Sequence, residues 1–257
     1  MGRVITILNH KGGVGKTTLA VHLSCFLAMA GKRVMLYDLD PQGWAAHALR
    51  NKNKDYGQER IPSKESIENY LGSTNIPGLI VLWNSQGERQ IQESSLEIFQ
   101  DSLCKLRLRY DYIFLDPPPG WSLLHERIPA LGNQVLLPAS SNLEGLESIE
   151  KTLQTIQNAS KVLQKEIQLC GIVITRYIVD SEKSKFYYEE ICQRFGKTLL
   201  KSIILEDPHF TLEFEHGIPP ALQHLNSSAG FFYIELVKEL LKSPCFSLQE
   251  ALGSSSC

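Results

Sequence analysis

The chain has 257 residues, of which 43% are hydrophobic and 21% are charged. These fractions exclude collagen-like, low-complexity and disordered classes, because they supply enough apolar side chain for a sizeable core. The 26 basic and 28 acidic residues give a formal net charge of −2, so any contact with nucleic acid must come from a local basic patch.

Short apolar runs rich in Val and Ile alternate along the chain with longer helical patterns. Runs that are apolar throughout are typical of strands buried on both faces of a parallel sheet. Their alternation with helices predicts an α/β fold, a doubly wound and mostly parallel sheet flanked by helices. The predicted strands are residues 4–8, 34–37, 79–82, 112–115, 134–137, 169–174 and 202–205, and the predicted helices are 16–30, 64–71, 92–108, 143–165, 185–195 and 229–242.

We find no linker that would divide these elements, and therefore predict one domain over residues 1–257. Residues 50–62 are polar and predict a surface loop, and the tail at about 250–257 is expected to be disordered. The N-terminal apolar run is too short for a signal peptide, and no run reaches about 18 apolar residues. No two of the six cysteines have a C-x-x-C spacing. Reduced thiols and a cytoplasmic location are expected.

The most informative segment joins the first strand to the first helix and reads LNHKGGVGKTT. Its glycines allow backbone N–H groups to turn inward around phosphate oxygens, and the following helix N-terminus adds partial positive charge. Lys16 supplies a charge for the β and γ phosphates, Thr17 a hydroxyl for Mg²⁺, and Thr18 a contact to the α-phosphate. The alternative, a glycine-rich turn without a ligand, does not explain the Lys-Thr pair at this spacing.

The loop departs from the usual G-x-x-x-x-G-K-[ST] pattern, because His10 stands at the first glycine position and Lys11 follows it. The sequence KGGVGKTT resembles the deviant Walker A signature of the ParA/MinD family of ATPases. The resemblance implies that Lys11 reaches the nucleotide of a partner subunit, whereas the simpler interpretation is a solvated loop lysine. The nucleotide-binding residues expected from the loop are Lys11, Gly12, Gly13, Val14, Gly15, Lys16, Thr17 and Thr18.

Two strand-end motifs carry carboxylates, which face the ligand crevice of a parallel sheet. VMLYDLDPQG places Asp38 and Asp40 after one strand, and YIFLDPPPG places Asp116 after another. The resemblance implies that Asp40 orients the attacking water and that Asp116 belongs to a Walker B motif, so Thr17, Asp40 and Asp116 are the expected Mg²⁺ site. Capping of the next helix is the alternative role, more so for Asp38.

The resemblance is weaker towards the C-terminus. Family members often carry a Pro-Arg-Asn-like stretch after the seventh strand, which frames the adenine, but this chain has LEDPH with a displaced proline and no arginine. Thr175 and Arg176 are named from their position as expected nucleotide contacts. The segment SSNLEGLESI also resembles ParA proteins, although any strand–loop–helix unit is compatible with it.

The phosphate loop begins near the first residue, so we expect no preceding DNA-binding domain, as in short Soj-like ParA proteins. The resemblance implies an ATPase with ATP and Mg²⁺ as cofactors, a homodimer with ATP, non-specific binding to double-stranded DNA and association with the nucleoid in the ATP state. It also implies a centromere-binding ParB-type partner that stimulates hydrolysis, in plasmid or chromosome partition.

Two alternatives remain open. A MinD-like positioning ATPase would act on a membrane or protein partner. However, the last helix carries mixed charges on its polar face and is expected to pack on the core, so no stable membrane insertion is expected. A metabolic enzyme of the dethiobiotin-synthetase type is disfavoured by Lys11 and the D-x-D-P-Q-G motif.

One stretch concentrates basic residues that could contact DNA phosphates. A solvated helix face is the alternative explanation, and the acidic stretch at 206–215 counts against DNA binding. The expected DNA-binding residues are Lys183, Lys185, Arg194, Lys197 and Lys201.

Overall fold

The computed structural model of the chain describes residues 1–49, 72–83, 93–120, 128–129, 131–211 and 217–248. Eight strands form one sheet in the order β3-β4-β2-β5-β1-β6-β7-β8. All neighbouring strands are parallel except β3 and β4. The strands are β1 Arg3–Ile7, β2 Val34–Asp38, β3 Gly72–Ser73, β4 Leu79–Trp83, β5 Tyr112–Asp116, β6 Asn133–Ser140, β7 Gln168–Tyr177 and β8 Leu199–Leu205.

All seven predicted strands are confirmed, and the doubly wound α/β fold with them. The structure adds β3, a two-residue antiparallel edge strand that the apolar pattern did not reveal. Strands β2 and β5 are buried at every position, as expected for central strands covered on both faces.

Helices cover both faces of the sheet. They are α1 Lys16–Met29, α2 Trp44–Leu49, α3 Glu93–Leu106, α4 Leu143–Val162, α5 Glu182–Phe195, α6 Pro220–Gln223 and α7 Ser228–Lys242, with a 3-10 helix at Pro208–Thr211. Five of the predicted helices are confirmed, whereas the one predicted at 64–71 lies outside the described residues. The short helices α2 and α6 and the 3-10 helix were not predicted.

Two main apolar layers hold these helices on the sheet. Buried residues of α1 and α7 form one core with one face of β1, β2 and β5, including Leu23, Phe114 and Leu236. On the opposite face, residues of α3 such as Leu103 pack against Tyr37 and Ile113. Burial of this kind contributes roughly 25 cal/mol per Å² of apolar surface, and it fixes the strand ends that carry the site.

The last helix has the core-packing role predicted for it. Tyr233, Leu236, Val237 and Leu240 of α7 are buried. Phe231, on the same helix, is 58% exposed. None of the helices within the described ranges is long and apolar enough to cross a membrane.

The single domain predicted for residues 1–257 stays a prediction. The predicted loop at 50–62 and the predicted disordered tail lie outside the described residues.

Candidate nucleotide site

The loop between β1 and α1 has the backbone geometry that its glycines predict. Gly13 and Gly15 have φ angles of +76° and +83°, in the left-handed region that favours glycine. Gly15 is the N-cap of α1, and Lys16 is the first helical residue. The free N–H groups of the first helical turn therefore point towards the loop, as a phosphate site requires.

His10 fits where the usual pattern has glycine. Among the described residues, only Asn133, Gln164 and Arg176 have a positive φ without being glycine, so His10 keeps an ordinary backbone. Its Nε2 lies 2.8 Å from the Thr155 hydroxyl on α4. The start of the loop is thus attached to α4 by a side chain that glycine lacks.

Lys16 lies inside the loop and is 6% exposed. Its Nζ donates a hydrogen bond of 3.0 Å to the carbonyl of Lys11. Burial lowers the pKa of Lys16, while the nearby carboxylates of Asp116 and Asp40 act in the opposite direction. The Lys16 amine is therefore held beside two acidic side chains, at the point where phosphates are expected.

Asp116 ends β5, and the register pairs it with Asp38 at the end of β2. Burial, together with the charge of Asp38, raises the pKa of Asp116 to about 8. The Thr17 hydroxyl lies close enough to offset part of this rise. Even so, neither carboxylate oxygen of Asp116 makes a hydrogen bond of ordinary geometry within the described residues.

A buried carboxylate without ordinary partners is costly unless a cation or donor joins it. The hydroxyl of Thr17 and the ammonium of Lys16 lie beside it. Oxygen ligands of this kind are what Mg²⁺ prefers, so Thr17 and Asp116 fit the expected metal site.

Asp38 has the capping role that the sequence left open for it. One of its carboxylate oxygens accepts from the backbone N–H of Asp40 at 3.0 Å, and the other from Ala46 in α2 at 3.0 Å. Burial raises the pKa of Asp38 to about 6, although these backbone donors oppose the rise. Asp38 therefore holds the turn that carries Asp40.

Asp40 lies in a tight turn on the wall of the nucleotide cavity described below. Its side chain accepts a hydrogen bond of 2.9 Å from the N–H of Gln42, and its carbonyl accepts one of 3.0 Å from the Trp83 indole. Trp44 begins α2 next to this turn and is 67% exposed. Asp40 is thus positioned by its backbone, with its side chain near the loop.

Thr175 and Arg176, expected from their position to contact the nucleotide, both bond to the phosphate loop. The Thr175 hydroxyl donates to the Val14 carbonyl at 2.8 Å, and a guanidinium nitrogen of Arg176 donates to the Gly13 carbonyl at 3.0 Å. The same guanidinium forms a two-point ion pair with Glu206. Their bonds brace the loop from β7, and direct contact with adenine stays a prediction.

Lys11 projects away from the phosphate cradle. Its Nζ forms an ion pair with Glu144, near the start of α4, and this contact lowers the pKa of Glu144. The Lys11 side chain is 27% exposed. The two loop lysines therefore have different environments, one inside the loop and one at its open side.

These groups surround a cavity of about 660 Å³. Its phosphate end contains the loop, Asp40 and Pro117–Pro119, and its other end is formed by β8 and the residues after it. A cavity of this size suits a nucleotide. The sequence pattern did not identify Trp44, Phe210 or Tyr233 as lining residues, because they carry no motif. Thr175 and Arg176 line the cavity beside the loop. The residues that line the other end are Ile204, Leu205, Glu206, Asp207, Phe210 and Tyr233.

The basic residues expected to bind DNA do not form one cluster. Helix α5 has 14 residues, so its ends lie roughly 21 Å apart. Lys183 lies at the end near the phosphate loop and lines a neighbouring cavity. Lys197 lies just before the edge strand β8, and Lys201 lies within it. Arg194 pairs with Glu150 and Glu190. Lys185 is exposed on α5.

The sheet, the loop and the strand-end carboxylates define a P-loop ATPase with a deviant Walker A motif. A family model described as an AAA domain matches residues 2–169. The chromosome partitioning protein ParA of Myxococcus xanthus is 30% identical over 94% of this chain and 89% of its own length. The sporulation initiation inhibitor protein Soj of Bacillus subtilis is 28% identical over 93% of this chain and 98% of its own.

The chain belongs to the ParA/MinD family of ATPases. Among solved structures, apo McdA of Cyanothece matches with a TM-score of 0.76 and 23% identity over 94% of this chain and all of that chain. MinD of Pyrococcus horikoshii matches with a TM-score of 0.73 and 21% identity over 94% and 97% of the two chains. At these identities the two structures support the shared fold. The ATPase activity and the expected cofactors, ATP and Mg²⁺, agree with the family and with the residues of the site.

Proposed function

We propose that this chain is a ParA-type nucleotide switch for plasmid or chromosome partition. In this proposal it dimerises around ATP, binds double-stranded DNA without sequence preference in that state, and hydrolyses ATP slowly until a centromere-binding ParB-type partner stimulates it. The names of its relatives, Soj and chromosome partitioning ParA, support this choice. The protein would then be cytoplasmic and associated with the nucleoid while ATP is bound.

The position of Lys11 carries the proposal. Lys16 already supplies a buried charge inside the loop, so a second lysine is not needed for the same phosphates. Lys11 instead lies at the open side of the loop, where Glu144 holds its amine. A charge in this place is suited to reach a nucleotide bound by a second copy of the chain. Lys11 would then leave the Glu144 carboxylate and contact a phosphate of that nucleotide.

The residues of the site divide the chemistry among them. Lys16 and the loop N–H groups hold the phosphates, while Thr17 and Asp116 would hold Mg²⁺, which neutralises phosphate charge when bound. Asp40 faces the same cavity and would orient the attacking water. Asp38 fixes the turn that carries Asp40, and Thr175 and Arg176 fix the backbone of the loop. These parts of the site are therefore positioned before a nucleotide binds.

Exposed lysines support DNA binding only in part. Lys197 and Lys201 are exposed near one edge of the sheet, and a dimer would present two such pairs at high effective concentration.

The MinD-like alternative requires a surface for a membrane or a protein partner. The buried apolar side of α7 does not supply a membrane surface.

The proposal is tested by retention on DNA with ATP, with ADP and without nucleotide, over a series of salt concentrations. We expect retention only with ATP, and a steep loss with salt from counterion release. Lys197→Glu with Lys201→Glu should abolish retention and leave ATP-driven dimerisation unchanged. The control, Lys32→Glu with Lys151→Glu, makes the same change of net charge on other elements.

Equal retention of both double variants would place the DNA surface elsewhere. Absence of ATP-dependent retention at low salt would contradict the DNA proposal. Flotation with anionic vesicles in the same nucleotide states would then test the MinD-like alternative.

A further inference from the structure

A cluster of three aromatic rings lies against the nucleotide cavity, and two of them, Phe210 and Tyr233, line it. The rings of His22 on α1 and Tyr233 on α7 are stacked, with centroids 4.6 Å apart. Both side chains are almost completely buried. Phe210, from the 3-10 helix after β8, meets both rings edge-on, at 5.4 Å from His22 and 5.8 Å from Tyr233.

This edge-on packing fixes the plane of the Phe210 ring. Edge-to-face contacts at such distances are favourable for aromatic rings, and here two of them act on the same side chain. Phe210 itself is only partly buried and lines the cavity. Its ring is therefore held in one orientation with part of its surface towards the cavity.

Helix α1 gives the spacing between this cluster and the phosphates. Thr17 and Thr18 belong to the first turn of α1, and His22 lies one turn further, with its Nδ1–H donating to the Thr18 carbonyl at 2.7 Å. One helical turn is about 5.4 Å. The rings thus lie about one helical turn beyond the phosphate-binding turn, within reach of a base attached to phosphates bound there.

The charged side chains at this end of the cavity are engaged elsewhere. Glu206 is held in the ion pair with Arg176, and the Asp207 carboxylate accepts a hydrogen bond from the Ser228 hydroxyl. Neither carboxylate is placed to replace the arginine that is absent from this stretch. At this end of the cavity, Phe210 is a partly exposed aromatic ring, whereas the neighbouring Tyr233 is almost completely buried.

We propose that Phe210 forms the surface on which the purine base of the nucleotide stacks, and that stacking takes the place of side-chain hydrogen bonding to the base. The inference rests on the assignment of residues 11–18 as the phosphate site. Stacking depends on a flat π-system and tolerates different bases. Phe210 should therefore strengthen the binding of ATP and GTP to a similar extent, without contributing to the binding of phosphates alone.

The test is calorimetric titration of the wild type and Phe210→Ala with Mg-ATP, Mg-GTP and inorganic tripolyphosphate, which has no base. Loss of base stacking should weaken both nucleotides roughly five- to 100-fold, with tripolyphosphate unaffected. Phe210→Tyr keeps the ring and should retain the wild-type affinities. Phe186→Ala removes an exposed ring on α5 and serves as the matched control.

Unchanged ATP affinity in Phe210→Ala would overturn the proposal. An equal loss for tripolyphosphate would also overturn it, because Phe210 would then be supporting the loop. If the wild type binds neither ATP nor tripolyphosphate, the phosphate site itself is wrong and the stacking proposal fails with it. If the wild type binds tripolyphosphate normally while Phe210 has no effect on ATP, only the stacking proposal fails.

Discussion

Replacing the buried His22 by Phe should change how the stability of the nucleotide-free protein depends on pH. Burial lowers the pKa of His22 from 6.5 to about 4, and the hydrogen bond to the Thr18 carbonyl opposes this shift. The unfolded chain therefore binds a proton below pH 6.5 that the folded chain does not bind until about pH 4. The stability due to neutral His22 is complete above pH 6.5 and falls as the pH falls towards 4.

The size of this effect follows from the two pKa values. Between pH 7.5 and pH 5, the titration of His22 alone should lower the free energy of unfolding by about 2 kcal/mol. His22→Phe removes this proton and keeps a ring beside Tyr233, so its stability relative to wild type should rise by that amount over the same interval. The other six histidines titrate in both proteins and cancel in the difference.

Urea unfolding of both proteins at pH 7.5, 6 and 5, followed by circular dichroism, measures this difference. A constant offset between the two proteins reflects packing or the lost hydrogen bond, and only the change with pH reports the proton. His22→Gln keeps a donor near Thr18 and provides a second variant without a titrating ring. A difference in unfolding free energy that does not change with pH would refute the assignment of His22 as buried and neutral.

Two further predictions concern the lysines of the loop and Asp40. Lys16→Gln should weaken ATP binding at least about tenfold, because a charge-assisted contact is lost, and unchanged affinity by calorimetry would contradict the phosphate-loop assignment. Lys11→Ala should bind ATP and remain monomeric, whereas Asp40→Ala should bind ATP and accumulate as a dimer. Size-exclusion chromatography with ATP distinguishes the two variants. Wild-type behaviour of both variants would contradict the roles proposed for these residues.

The strands could be predicted because the runs that form them are mostly apolar, and the phosphate loop because its residues are contiguous. Helix α2 could not, because its six residues are too short for a helical period. It begins where Asp38 offers a carboxylate to the N–H of Ala46. A side chain from the preceding strand thus fixes a helix that local propensity does not specify.

The residues that the sequence did not reveal, and the spatial grouping of the basic residues, depend on distances between elements. His22, Phe210 and Tyr233 come from distant parts of the chain and meet only when α1 and α7 pack on the same face. Conversely, Lys183 and Lys197 are close in sequence but are separated by the length of α5. Spacing along the chain therefore shows which residues share the loop, but it does not show which basic residues share a surface.

The paired carboxylates at the ends of β2 and β5 show how one fold position can serve two purposes. Asp38 and Asp116 are both buried and lie in register on adjacent strands. Asp38 has two backbone donors, and its pKa rises only to about 6, while Asp116 has no ordinary hydrogen bond within the described residues and its pKa rises to about 8.

Both carboxylate oxygens of Asp38 accept hydrogen bonds from backbone N–H groups. The Asp38 carboxylate therefore holds the turn of Asp40 in place. Asp116 keeps both oxygens available, beside Lys16 and Thr17. Burying an ionised carboxylate is unfavourable in free energy unless a cation or a hydrogen-bond donor lies beside it. The difference between the two aspartates gives Asp38 a structural role and supports the proposal that Asp116 binds the metal ion, although the sequence presents both as the last residue of an apolar strand.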